Sequence, residues 1–232
     1  MILIDADILV YRIGYSTQDL PEDQALRRLN GFIEDLFTQL RRNREEVNYD
    51  LYLTGSTNFR FDYAVTAPYK GNRKSEKPVH FKAIREHLLT KWGAILTVDE
   101  EADDAIAIAA TLHGDDSIIV SLDKDFDQVK GWHYNFAKKN LYYVTEEEGL
   151  NFLYRQVLMG DAVDNIIGVR GIGKVKSAKL LEDCVTEIEY YDKVVELMGC
   201  GERVIENLRL LYLRRNECEI WVSPYIRTER GQ

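Results

Sequence analysis

Strand-like apolar runs that each end in a group of acids set the frame for this chain. Met1-Ile2-Leu3-Ile4 is closed by Asp5 and Asp7, and Ala94-Ile95-Leu96-Thr97-Val98 is followed by Glu100, Glu101, Asp103 and Asp104. Ser117-Ile118-Ile119-Val120-Ser121 is followed by Asp123, Asp125 and Asp127. Asp161 and Asp164 lie in Met159-Gly160-Asp161-Ala162-Val163-Asp164-Asn165, just before a glycine-rich turn. In an open α/β sheet the carboxyl ends of parallel strands share one edge, and ligands bind there. Such a sheet gathers these carboxylates into one crevice. Close carboxylates cannot all stay ionised without a cation, and hard oxygen donors suit Mg²⁺ or Mn²⁺.

The rest of the chain fits an α/β fold with a largely parallel sheet and helices on both faces. After the first strand, apolar spacing predicts a helix over Leu26–Leu40, then a second strand over Asp50–Thr54. A long loop is expected over 57–80, mixing aromatics, Gly, Pro and basic residues, and long loops in compact domains are often functional. Helix is expected again over Phe81–Trp92 and Asp103–Leu112, and strands over Ile118–Leu122, Trp132–Phe136 and Leu141–Val144. Beyond about Asn151 strand signals stop and three or four helices are expected, with Trp221, Pro224 and Tyr225 packing the tail back. The domain expectation is therefore an α/β core over 1–150 and a helical region over 151–232.

At 232 residues the chain can bury a substantial core. No apolar run approaches the ~20 residues of a membrane span, and no signal-peptide pattern opens the chain. Three cysteines without zinc-like spacing point to reduced thiols and a cytoplasmic setting. The net charge of −9 argues against nucleic acid, but its distribution does not. Lys70, Arg73, Lys74, Lys77, Lys82, Arg85 and Lys91 form one basic stretch; Arg170, Lys174, Lys176 and Lys179 form another. Basic stretches flanking an acidic centre suit a phosphate-backbone substrate, while each stretch alone is equally readable as a solvated face.

Four motifs carry chemistry. Glu101-Ala102-Asp103-Asp104 lies at a strand-to-helix junction, where one acid would satisfy the helix dipole and three exceed that need. Asp123-Lys124-Asp125 brings two carboxylates together if extended, with Asp127 set aside. Gly168-Val169-Arg170-Gly171-Ile172-Gly173-Lys174 nearly matches a P-loop but has Val175 where a hydroxyl is required, and no strand is expected before it. It reads better as a helix–hairpin–helix over about 157–182, whose glycine turn offers backbone N–H groups to a phosphate. In Tyr69-Lys70-Gly71-Asn72-Arg73 the ring can stack on a base while Lys70 and Arg73 neutralise a phosphate. Phe59, Phe61 and Tyr63 read as loop anchors.

In this order, Ile4-Asp5-Ala6-Asp7, Tyr69-Lys70-Gly71-Asn72-Arg73, Glu101-Ala102-Asp103-Asp104, Asp123-Lys124-Asp125 and the segment from Met159 to Gly173 resemble the 5′-nuclease superfamily. The similarity spans about Ile2–Leu181, and Asn58-Phe59-Arg60 ahead of the basic motif brings the phage replication 5′→3′ exonucleases nearest. The resemblance implies a PIN-like, Rossmann-like core joined to a helix–hairpin–helix. It implies two Mg²⁺, replaceable by Mn²⁺, held directly or through water by Asp5, Glu101, Asp103, Asp104, Asp123, Asp125, Asp161 and Asp164. Lys70 and Arg73 would contact the scissile phosphate. Tyr69, Arg170, Gly171, Gly173, Lys174 and Lys176 would bind DNA, with a monovalent ion such as K⁺ near Gly171. The implied partner is DNA with a 5′ end, nick or flap, or RNA in a hybrid, in a bacterial or infected-host cytoplasm and away from membranes.

Two departures from the family pattern stand out. Thr54-Gly55-Ser56 replaces an Asp that many relatives carry after the second strand. The interval from Arg73 to Glu101 is also short for a full helical arch, which favours plain exonuclease action over flap cutting. A catalytically weakened DNA-binding member of the fold is the alternative reading, and a PIN-type ribonuclease is a third.

Overall fold

The first apolar run becomes β1 (Ile2–Asp5), buried at every position as a central strand of a parallel sheet must be. The computed structural model describes residues 1–40, 48–73 and 76–229; Lys74, part of the first basic stretch, lies outside them. They form two units. One comprises Met1–Asn58, Ser75–Phe126 and Gly131–Tyr143, and the other Phe59–Lys74, Asp127–Lys130 and Val144–Gln232.

In the first unit, β1 leads into α1 (Ala6–Ser16), a helix absent from the sequence expectation, then α2 (Glu22–Leu40) and β2 (Tyr49–Leu53). The short α3 (Arg60–Tyr63) belongs to the second unit; α4 (Phe81–Lys91), β3 (Ile95–Leu96), α5 (Ala102–His113) and β4 (Ile118–Val120) return to the first. Then come β5 (Gly131–Asn135) and β6 (Asn140–Val144). The strand order is β3-β2-β1-β4-β5-β6, and β1 pairs in parallel with both β2 and β4. Side chains alternate across the sheet. Ile2, Ile4, Leu51, Leu53 and Val120 enter one core cluster with Leu9, Val10 and Ile13 of α1, Leu29 and Ile33 of α2, and Ile84 and Leu88 of α4. Leu3 and Ile119 point to the other face, and α5 packs on β1, β2 and β4 through its buried Ile106, Ala107 and Ala110.

The chain builds outward from β1 through β2 and β3, then crosses back to place β4 on the other side. Between β1 and β4 the connections leave in opposite directions, which is the topological switch point where open α/β sheets bind ligands.

The second unit holds α6 (Glu146–Met159), β7 (Gly160–Asp161), β8 (Ile166–Ile167), α7 (Lys174–Leu180), α8 (Glu187–Met198), α9 (Gly201–Leu211) and α10 (Pro224–Glu229). Strand pairing does not stop near Asn151, as the composition suggested: β7 and β8 pair antiparallel. Glycine permits this, because a Cβ on Gly160 would lie 2.3 Å from the Gly168 backbone N and one on Gly168 2.2 Å from the Met159 carbonyl carbon. The segment 59–73 also departs from its expected place in the α/β core. Arg60 is buried and donates to the Leu210 carbonyl at 2.8 Å and the Tyr212 carbonyl at 2.9 Å. Glu206 accepts from the Val65 N–H at 2.7 Å and the Thr66 N–H at 2.6 Å. Trp221 and Tyr225 pack their rings on Tyr191 of α8 within the same unit.

Candidate metal centre and nucleic-acid interface

Asp5 ends β1 and caps α1, accepting from the Ile8 N–H at 3.2 Å. Its other oxygen accepts from the Ser121 hydroxyl at 2.9 Å, and Ser121 also accepts from the Asp123 N–H at 2.9 Å. One serine at the end of β4 therefore links Asp5 to Asp123 across the switch point. Sequence reasoning passed over Ser121, although a hydroxyl between a strand and an acidic turn was the available signal. Burial pushes the Asp5 carboxyl up to about 7; the charges of Asp7 and Asp123 add to the rise, and the Ser121 and Ile8 hydrogen bonds oppose it.

Extension, the condition for Asp123 and Asp125 to converge, is not met: the chain forms a 3-10 helix over Lys124–Gln128. Asp123 fixes that turn by accepting from the Asp125 N–H at 2.9 Å, a local bond that Asp makes readily. Asp125 pairs with Lys124 at 3.2 Å.

Glu101 and Asp104 form a reciprocal capping box at the start of α5. The bland reading of this motif thus accounts for two of its acids. Asp104 is fully buried, with its carboxylate accepting from the Glu101 N–H at 3.2 Å. Glu101 also accepts from the Asn58 amide at 2.8 Å. Asp103, half-buried beside them, is not part of the cap. The Thr54 hydroxyl accepts from the Ala102 N–H at 3.0 Å, which ties the start of α5 to the end of β2, next to β1. Asp5, Asp123 and the acids of α5 are thereby carried by the carboxyl edge of one sheet.

Among the described residues, no group of three or more His, Cys, Asp or Glu side chains is placed to hold an ion as a protein-only cage. Mg²⁺ seldom uses such a cage; it keeps several waters and takes one or two carboxylates plus substrate phosphate. A buried carboxyl raised by neighbouring acids, all of it hard oxygen, fits that ion.

In the second unit, Asp164 gathers three of the expected residues. It accepts from the Arg73 guanidinium at 2.5 Å and the Tyr69 hydroxyl at 3.0 Å, with the Lys70 ammonium at 3.8 Å. Lys70 takes a left-handed backbone (φ 56°), held by its N–H on the Asp164 carbonyl at 2.9 Å; strain of this kind concentrates at functional positions. Asp161 accepts from the Val163 N–H at 2.7 Å and the Asp164 N–H at 3.3 Å, so it shapes the turn that presents Asp164. Tyr69 corrects an expectation: it is 5% exposed and lies in the core of its unit, so its ring is not a platform for a base. Phe59 is an anchor as expected, with Arg214 stacked at 3.7 Å.

The glycine turn sits between β8 and α7. Gly171 has φ 80°, a backbone that side chains rarely adopt, and Gly173 precedes α7 with no side-chain cap. Arg170, Gly171, Gly173, Lys174 and Lys176 all lie in or next to this turn, and Lys174 and Lys176 are exposed.

No protein-family model matches the chain. DNA polymerase I of Bacillus caldotenax is 29% identical over 231 residues, covering 90% of this chain and 26% of the polymerase. The flap endonuclease Xni of Shewanella sp. (strain W3-18-1) is 32% identical over 127 residues, covering 49% of this chain and 48% of the relative. The chain thus spans about a quarter and about half the length of these relatives. A crystal structure of the bacteriophage T5 flap endonuclease, in a pseudo-enzyme–product complex with DNA and metal ions, shares the fold. Its TM-score is 0.68 at 20% identity, over 91% of this chain and 88% of that one. In these likenesses the chain is similar to flap endonucleases and to DNA polymerase I, and it shares the fold of the T5 enzyme.

Proposed function

We propose that the protein is a divalent-metal-dependent DNA nuclease that hydrolyses phosphodiesters from the 5′ end, with exonuclease action its main activity. The carrying observation is the Asp5–Ser121–Asp123 linkage at the switch point, where burial and two neighbouring acids drive the Asp5 carboxyl up to about 7. A site that concentrates carboxylates at this cost to its own ionisation is suited to a cation.

Asp5, Asp103 and Asp123 are the residues we assign first to Mg²⁺. Glu101, Asp104 and Asp125 serve directly or through water, and Asp161 and Asp164 keep the metal role that the family pattern gives them. The bound ions would lower the pKa of a water and stabilise the charge of the leaving oxygen. Ser121 orients Asp5, and the Glu101–Asp104 cap fixes the start of α5. Lys70 and Arg73, held by Asp164 in the free protein, supply positive charge to the phosphate being cut. The backbone N–H groups of the Gly171–Gly173 turn, with Arg170, Lys174 and Lys176, grip duplex phosphates without reading sequence. K⁺ near that turn, RNA in hybrids as a second substrate, and a place in phage-type DNA replication or recombination extend the same reading.

Matched DNA and RNA duplexes, blunt and 5′-flapped, offered with Mg²⁺ test this function. Cleavage of the DNA to 5′-phosphate products is expected, and cleavage confined to RNA overturns the assignment.

A further inference from the structure

At the end of β2 the chain carries Thr54-Gly55-Ser56, without a carboxylate, and the structure shows why none fits at position 55. A Cβ on Gly55 would lie 2.0 Å from the Thr97 carbonyl oxygen, a backbone atom that cannot rotate away. Thr54 is committed as well, since its hydroxyl accepts from the Ala102 N–H at 3.0 Å.

A cation is fixed there instead. The Arg85 guanidinium donates to the Asp7 carboxylate at 3.0 Å and to the Thr54 carbonyl at 2.8 Å. Asp7 uses its second oxygen to accept from the Thr54 N–H at 2.9 Å. Both oxygens of Asp7 are therefore engaged, one of them by a full positive charge. Phe81 lies under the guanidinium, 5.6 Å from its ring centre, and only a fifth of the Arg85 side chain is exposed, at 20%. Guanidinium stays protonated at any working pH and holds a carboxylate in a fixed planar geometry.

We propose that Arg85 is a built-in counter-cation that takes the place of a divalent ion on the β2 side of this acidic edge, with Asp7 as its partner and not a metal ligand. The inference rests on the metal-dependent reading above and deepens it. Arg85 is a positioning residue: its charge offsets Asp7, and a metal dication brought to Asp7 would meet a fixed like charge.

Counting Mn²⁺ bound per chain tests this, by electron paramagnetic resonance of the free ion during titration of the DNA-free protein. Arg85→Gln is expected to bind one more ion than the wild type, because Asp7 becomes available. Arg85→Lys, which keeps the charge, is expected to match the wild type, and so is Asp7→Asn. An unchanged count in folded Arg85→Gln overturns the proposal. So does the loss of one ion in Asp7→Asn, which decides the matter if Arg85→Gln does not fold. A wild type that binds no Mn²⁺ overturns the metal-dependent reading itself, an outcome distinct from an unchanged count.

Discussion

The Ser121 hydroxyl donates to the Asp5 carboxylate at 2.9 Å, joining the ends of β4 and β1 where the chain connections leave in opposite directions. A hydrogen bond to a charged group contributes roughly 1.5–3 kcal/mol. This one also opposes the rise of the Asp5 carboxyl. Ser121→Ala is therefore expected to raise that carboxyl further and to weaken Mg²⁺ binding at neutral pH. Calorimetric titration of Mg²⁺ into the variant checks this, with unchanged affinity counting against it.

Stability should depend on pH in an unusual direction. A free Asp titrates near 3.8 and Asp5 in the folded chain near 7, so the folded state holds the extra proton between those values. The metal-free protein then loses stability as pH rises from about 4 to about 7, by at most about 1.4 kcal/mol per pH unit for this one group. Mg²⁺ binds the ionised form, so the rise in Tm on adding Mg²⁺ should grow between pH 5.5 and 8. Thermal melts with and without Mg²⁺ across that range provide the check; a constant increment contradicts the assignment.

The two acids side by side in α5 should separate stability from activity. Asp104 is buried in the cap, whereas Asp103 is outside it. Asp104→Ala is expected to lower stability by about 1 kcal/mol or more as well as activity. Asp103→Asn is expected to lower Tm less than Asp104→Ala does and to cut Mg²⁺-dependent turnover at least tenfold. Equal loss of Tm in both variants would sink this distinction.

Placing an acid at Gly55 should not help. With Thr97 in the way, Gly55→Asp must shift backbone and is expected to destabilise the chain without gaining an ion. A variant with native Tm and tighter Mg²⁺ binding would contradict the geometry.

Lys174 and Lys176 beside the glycine turn should contribute charge without sequence preference. Lys174→Ala and Lys176→Ala are each expected to weaken duplex binding uniformly across sequences and to reduce the salt slope by about 1. Fluorescence anisotropy at several salt concentrations measures both effects.

Much of this was legible in the sequence because burial and charge are written locally. The apolar run that Asp5 closes in β1, the acids after the later strands, and the periodicity of α2, α4 and α5 placed the carboxylates on one sheet edge. The helix α1 was not legible, since Ile8-Leu9-Val10 continues the apolar run of β1 and only the Asp5 cap marks the change. The 3-10 turn at Asp125 depends on its N–H donating to the Asp123 carboxylate, a bond that competes with extension. Tyr69 shows the same limit at longer range: its hydroxyl reaches Asp164, 95 residues on, and its ring fills a core that composition does not reveal. Arg85 meets Asp7 across 78 residues, a pairing that no local pattern announces.

The most direct measurement is release of label from linear duplex DNA carrying it at the 5′ end or in the interior, with Mg²⁺ or with EDTA. Early release of the 5′ label with Mg²⁺, and none with EDTA, is the predicted result. Binding of the duplex without release, in Mn²⁺ as well as Mg²⁺, would contradict it and leave a protein that holds DNA without cutting it.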